Sequence, residues 1–466
     1  SLVSIQPTNY QLPITNYHIM KVTNSNFHLT YCTNIHPGEE WQQVFANLEK
    51  YVPNLKTQLA PEKPFGIGLR LADVAARQLL EKDALSKFKT WLFQQNIYVF
   101  TLNGFPYGGF HHQVVKDQVY APDWSKRERV DYTLRLIKIL AFLLPEGMEG
   151  SISTLPLSYK PWFNSDLAPL STSFEKPGLL TRNLGFQAEL FARNPVFSQG
   201  ARCEFKEDKS TCELTLHNST IHLALVAAEM ARIREQTGKV LHVDLEPEPD
   251  GLIENSTEVI DYFQNWLLPI GGAFLAKTLG VSQALAEQRL LEHIRVCYDT
   301  CHFAVEYEEP LLVFKRFQAA RIQIGKIQIS AALRVMIPQD LQQRSLIVER
   351  LRPFAESTYL HQVIERRSDG RLHHYPDLVT ALPHLKRVDA QEWRIHFHVP
   401  IFIRDYQILH STQDDIIDVL DLLGKNNACE HLEIETYTWD VLPSEMKMDL
   451  LASIQREFEW VLVLIQ

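Results

Sequence analysis

Residues 295–303 read RVCYDTCHF. Val296, Cys297 and Tyr298 form a short apolar run, Asp299 ends it, and His302 follows three residues later. So short a run, flanked by amphipathic sequence, fits a strand buried on both faces in a parallel sheet. At the end of such a strand the carboxylate and the imidazole stand over one opening. Zinc and harder divalent ions both accept that oxygen and nitrogen pair. A plainer reading competes: Asp299 caps the next helix and His302 is an ordinary loop residue.

Seven further runs share the pattern: 28–32 (HLTYC), 65–71 (FGIGLRL), 97–102 (IYVFTL), 150–155 (GSISTL), 241–246 (LHVDLE), 324–330 (IGKIQIS) and 431–435 (HLEIE). Between them apolar residues recur at helical spacing. In 41–52, Trp41, Val44, Phe45, Leu48 and Val52 fall on one face, and 130–144, 256–268 and 413–423 behave similarly, with Gly424 placed to end the last. Strands alternating with helices predict an α/β fold, a (β/α)8 TIM barrel. Two stretches exceed ordinary connections, 156–240 after the fourth strand and 331–403 after the seventh. We expect one elaborated barrel over 1–466, with both insertions lying over its C-terminal face. The first ends in a helix near 220–236. The second holds a hairpin around Ser368-Asp369-Gly370 and an extended run, 393–403, with no slot among the eight strands.

The 466 residues are 45% hydrophobic and 22% charged, enough apolar sequence for a large core. A net charge of −10 argues against general binding to nucleic acid or anionic membrane. There is no apolar run long enough to span a bilayer and no signal-peptide order at the start. Six scattered cysteines show no disulfide framework, so a reduced, cytoplasmic protein is expected. GxGxxG, Walker and GxSxG motifs are all missing, which leaves nucleotide-loop and serine-hydrolase readings without support.

Other strand ends add candidates. Prolines flank Glu246 and Glu248 in LEPEPDG (245–251); they stop the strand and stiffen its exit, which suits a ligand or general base at Glu246 as much as a solvent-facing acidic turn. Glu433 and Glu435 share a face, Glu435 nearer the C-terminal end. A buried carboxylate there must be paired, protonated or metal-bound. In RIHFHVP (394–400), His396 and His398 project to the same side if extended. Asn103 and His111 or His112, in NGFPYGGFHH, and Asn34 and His36, in TNIHPGEEW, could line the mouth and bind substrate. Pro37-Gly38 reads equally as turn chemistry.

These residues carry a resemblance. RVCYDTCHF looks like the DTCH strand end of endonuclease IV, and the whole resembles the xylose-isomerase-like group of sugar phosphate isomerases and epimerases. That resemblance implies a metal site of Glu246, Asp299, the Gln328 position and Glu435, with His302 as ligand or substrate contact. Gln328 departs from it, standing where the group has histidine and being a poorer ligand for zinc, so either His396 or His398 substitutes or the site is weakened. As a set, HLTYCTNIHPGEEW, NGFPYGGFHH, GSISTLPLSY, LEPEPDG, CYDTCHF and WRIHFHVPIF resemble the EboE family of bacterial metabolite-traffic proteins, which implies a place in secondary-metabolite handling or export.

The expectation is a divalent-metal-dependent (Mn2+, Mg2+ or Zn2+) isomerase or epimerase on a small polyhydroxylated or carbonyl metabolite. Its metal ligands are Glu246, Asp299, His302, His398, Glu435 and Gln328; Glu246, Glu435 and His302 are catalytic; Asn34, His36, Asn103, His111 and His396 bind substrate. A non-catalytic metabolite carrier and an endonuclease IV-like phosphodiesterase are the alternatives. The expected partner is a small molecule, nucleic acid is disfavoured, and a homo-oligomer is allowed.

Overall fold

The computed structural model describes residues 27–109, 115–163, 209–386, 389–444 and 449–465. Eight of its strands pair in parallel: β1 (His28–Tyr31), β2 (Phe65–Arg70), β3 (Ile97–Asn103), β4 (Gly150–Thr154), β5 (Leu241–Leu245), β6 (Ile294–Asp299), β7 (Ile324–Ile329) and, after six others, β14 (His431–Ile434). Their order is β1-β14-β7-β6-β5-β4-β3-β2. The ring closes where Cys32 bridges Gly68 in parallel and Thr30 Oγ1 donates to the Gly66 carbonyl at 2.9 Å. These are the eight runs read from the sequence, and the chain is a (β/α)8 barrel.

Strand alternation explains why those runs could be read. Leu29, Ile67, Leu102, Ile152, Val243, Val296, Ile327 and Leu432 are fully buried and share the core with the surrounding helices. Each such side chain contributes about 1.5–3 kcal/mol. The inner face is polar instead. Lys326 on β7 donates to Ser153 Oγ on β4 at 3.2 Å, and His431 on β14 meets Ser151 Oγ on β4 at 2.8 Å. Neither pair sits on adjacent strands, so both contacts cross the barrel's interior. Lys326 also forms a buried ion pair with Glu433. A Cβ at Gly68 would collide with that glutamate's carboxylate, which is why β2 needs a glycine there.

Only Ser330 separates β7 from a second, antiparallel sheet. It comprises β8 (Ala331–Met336), β9 (Val363–Arg367), β10 (Leu372–Tyr375), β11 (Ala390–Val399), β12 (Asp405–Tyr406) and β13 (Leu409–Ser411), in the order β10-β9-β11-β8-β13-β12. The expected hairpin is β9–β10, with Gly370 at φ +81° in its turn. The unplaced run 393–403 supplies most of β11. The second sheet reaches Ser411, beyond the boundary of 403 read from the sequence.

Three local readings are corrected. Gly424 lies inside the helix Gln413–Asn426, and Asn427, at φ 47°, closes it. The helix expected at 256–268 runs as Ser256–Tyr262, a wider π-helical stretch Phe263–Gly271 containing Pro269, and Gly272–Leu279. Cys212 is disulfide-bonded, whereas Cys32, Cys297, Cys301 and Cys429 are free and buried, so the all-thiol expectation fails at Cys212. Among the described residues no helix is long and apolar enough to cross a membrane.

Candidate metal centre

Asp299 ends β6 and uses its two oxygens differently. Oδ1 accepts from the His302 amide at 3.0 Å and from Ser330 Oγ at 2.6 Å, so it does cap the helix Thr300–Val305. Oδ2 points into the barrel mouth, 3.8 Å from His302 Nε2 and 4.0 Å from His398 Nε2. Capping and ligand geometry hold together at one side chain.

Three imidazoles converge there, and their tautomers follow from their partners. His302 Nδ1 lies 3.2 Å from the Pro247 carbonyl and His398 Nδ1 2.8 Å from the Glu435 carbonyl. A carbonyl only accepts, so both Nδ1 atoms carry the hydrogen. Gln362 donates its amide to the Pro249 carbonyl at 3.2 Å, which turns its oxygen toward His396 Nδ1 at 2.9 Å. Burial holds all three rings below the usual histidine range; the neighbouring imidazoles push His302 and His396 further down, while Asp299 partly opposes the shift at His398. Each neutral ring therefore turns an unprotonated Nε2 toward the mouth. His398 Nε2 is buried with no hydrogen-bond partner among the described residues and faces a carboxylate oxygen, so two acceptors confront each other. A cation between them resolves that conflict. Metal-binding histidines carry the same outward hydrogen bond from Nδ1.

The carboxylates complete the donor set. Oxygens of Glu246, Asp299 and Glu435 lie within 4.8 Å of one another; the same holds for ligand atoms of Asp299, His302 and His398, and of Glu248, His302 and His396. Burial, then the neighbouring acids, pushes Glu246 and Glu435 well above the usual carboxylate range. Burial, against a hydrogen bond from Tyr120, lifts Glu248 to about 8. Among the described residues, no lysine or arginine forms an ion pair with Glu246, Glu248, Asp299 or Glu435. Glu433 differs, since its pairing with Lys326 leaves it inside the barrel.

Amide side chains orient two of these acids. Asn34 and Asn103 each donate to Glu435 Oε1, at 2.8 and 2.9 Å. With its nitrogen toward Glu246, Gln328 donates to both carboxylate oxygens at 2.6 and 3.0 Å; the opposite orientation would set acceptor against acceptor whenever Glu246 is ionised. Gln328 thus meets Glu246 as a donor rather than standing as a separate ligand. Glu246, Glu248, His302, His396, Glu435, Asn34 and Asn103 line one cavity of about 600 Å³ including its open mouth.

Not every expected residue joins it. His36 bonds Tyr31 Oη through Nε2 at 2.9 Å, stacks on Tyr51 and lines a separate small cavity with Arg70. His111 and His112 lie outside the described residues. Sequence reasoning passed over Glu248, because a carboxylate between prolines resembles a solvated turn, and it missed Gln362, Tyr120, Tyr359 and Tyr437. Tyr120 ends a single short 3-10 turn and the others sit on loops, so their approach to the mouth carries no periodic signal. His396 and His398 share a side as i, i+2 residues of one strand, and β11 shifts register against β8 between Ile395 and His398.

The chain matches no protein-family profile and no curated protein sequence. Solved structures resemble it over most of its length. The probable 3-DHS dehydratase AsbF involved in petrobactin synthesis, from Bacillus anthracis, is 10% identical, with 93% of this chain and 98% of that one covered at a TM-score of 0.42. The IOLI protein with a bound zinc atom is 10% identical, with 94% and 98% covered at 0.40. A xylose isomerase domain containing protein from Salmonella typhimurium LT2 is 10% identical, with 95% and 98% covered at 0.37. The barrel assignment itself comes from the strand pairing.

Proposed function

We propose that the chain is a divalent-metal-dependent isomerase or epimerase of a small carbonyl- or hydroxyl-bearing metabolite, serving the secondary-metabolite handling that its EboE-like sequence implies. One observation carries this reading: three neutral imidazoles present unprotonated Nε2 atoms to a cluster of carboxylates that no lysine or arginine pairs among the described residues. Glu246, Asp299, Glu435, His302 and His398 would hold the ion, with His396 and Glu248 beside them. Mixed nitrogen and oxygen donors favour Zn2+ or Mn2+ over Mg2+. When bound, such an ion supplies a Lewis acid for a carbonyl or hydroxyl oxygen.

This chain's own residues do the rest. Glu246, steadied by Gln328, and Glu435, steadied by Asn34 and Asn103, reach the cavity as the pair that removes and returns a proton. His302, with Nδ1 committed to the Pro247 carbonyl, would act on the substrate through the ion that its Nε2 holds. The test is metal analysis of the purified protein, followed by NMR detection of solvent deuterium entering small hydroxy-ketones in D2O. One bound divalent ion per chain and exchange that Glu246→Gln abolishes are expected. A protein that takes up no metal and catalyses no exchange would end this reading.

A carrier role is the second reading. It is favoured by Gln328, which stands where the resemblance expects a histidine and spends its amide on Glu246. Metabolite binding that survives complete metal removal would select it.

A further inference from the structure

The walls of the cavity differ from its floor. Below lie the carboxylates and imidazoles. Around them stand Phe105, Tyr120, Tyr359 and Tyr437, with Val115 and Leu360. Val115 and Tyr359, with Val119, Tyr437 and Val441 against them, form a hydrophobic cluster separate from the main core. Ring contacts fix the aromatic walls. Phe105 and Tyr120 meet at 5.7 Å between centroids, Tyr359 and Tyr437 edge-to-face at 5.1 Å, and Tyr437 lies 4.7 Å from His398. The amides of Val115 and Lys116 donate to the Thr358 carbonyl at 2.8 and 3.1 Å, tying the two sides across the mouth. An apolar enclosure over a polar floor matches a ligand with two unlike ends.

Charge narrows the class. Lys116 is the only cationic side chain in the described lining; it pairs with Asp377 at 2.7 Å and reaches the Tyr359 carbonyl at 3.4 Å. Glu246, Glu248 and Glu435 face the same space. A phosphate needs arginine, lysine or clustered amides, and the described lining offers none that is uncommitted. A ligand polar all round would bury hydroxyls against Phe105, Val115 and Leu360 without partners.

We propose that the cavity takes an unphosphorylated ligand with adjacent oxygens at one end, set on the floor, and a flat apolar ring between the walls. This rests on the metal-site reading for the oxygen end and on the walls alone for the ring. The test is isothermal titration of the metal-loaded protein with 1-phenyl-1,2-ethanediol, erythritol and glucose 6-phosphate. The phenyl diol should bind at least tenfold tighter than either other probe. Tyr359→Ala, and the half-buried Leu360→Asn if the first fails to fold, should weaken it about fivefold with metal content unchanged. Equal or tighter binding of erythritol or the sugar phosphate, no binding of the diol by metal-loaded protein, or indifference of its affinity to the wall variants overturns the proposal. A chain that binds no metal yet still prefers the phenyl diol, with the same wall dependence, refutes the metal reading and upholds this one.

Discussion

Glu457 offers a measurement of how the barrel's last helix is fastened. It lies in the helix Leu450–Ile465, buried, and its Oε1 accepts from Thr436 Oγ1 at 2.7 Å and from the Ile401 amide at 3.3 Å. It therefore joins that helix both to the chain just beyond Glu435 and to the chain just beyond His398. Burial, only partly offset by these two bonds, pushes its carboxyl up to about 8. The folded state thus holds a proton that the unfolded chain releases near the ordinary glutamate value of 4.5. Stability from this group is fully present below pH 4.5 and is lost as pH rises through 8. A rise of about 3.5 units, at 1.36 kcal/mol each, sets a span on the order of 5 kcal/mol. Glu457→Gln keeps the accepting oxygen and the shape but cannot ionise. Urea unfolding of both proteins at pH 5, 7 and 9 isolates the effect, because other titrations cancel in the difference. The variant should match the wild type at pH 5 and exceed it increasingly toward pH 9. A difference that stays constant across the range would refute the reasoning.

Other expectations follow from the same contacts. Lys326→Met leaves Glu433 buried without its partner and should cost about 3–5 kcal/mol in thermal or chemical unfolding; adding Glu433→Gln should recover much of the loss. His398→Ala should lower bound metal measured by mass spectrometry, whereas His36→Ala should leave it unchanged. Removing a bound ion with a chelator should lower the melting temperature, since an ion present at a thousand times its Kd stabilises by about 4 kcal/mol. Despite burial, bonds from His361 and Thr358 hold Glu356 at about 2. The stability it contributes is present above the ordinary carboxylate range and lost as pH falls toward 2. Melting curves from pH 5 to 2.5 should therefore fall less steeply for Glu356→Gln.

The barrel was legible because a strand covered on both faces must be apolar on its outer side, and a short run such as VCY before Asp299 has few other uses. The carboxylates at strand ends were legible for a related reason: Asp299 and Glu435 stand where apolar sequence stops. What was hidden depends on contacts between distant segments. Nothing local to Asn34 or Asn103 indicates that both amides hold Glu435. Gln328 looked like a weakened ligand until its neighbour Glu246 was placed beside it. His36 has the composition of a mouth residue, yet Tyr31 and Tyr51 hold it elsewhere. Gly424 carries a helix-ending signal, but the helix continues three residues to a position where asparagine adopts the left-handed conformation.

The one-residue passage from β7 into β8 limits how this molecule can admit a guest. Ser330 Oγ donates to Asp299 and accepts from the Cys301 amide, while its own amide donates to Thr300 Oγ1 at 2.9 Å. Swinging the antiparallel sheet away as a unit would tear that seam and displace Asp299 with it. The contact across the mouth is slighter: two backbone hydrogen bonds, from the Val115 and Lys116 amides to the Thr358 carbonyl, join the 115–120 turn to the 357–361 stretch.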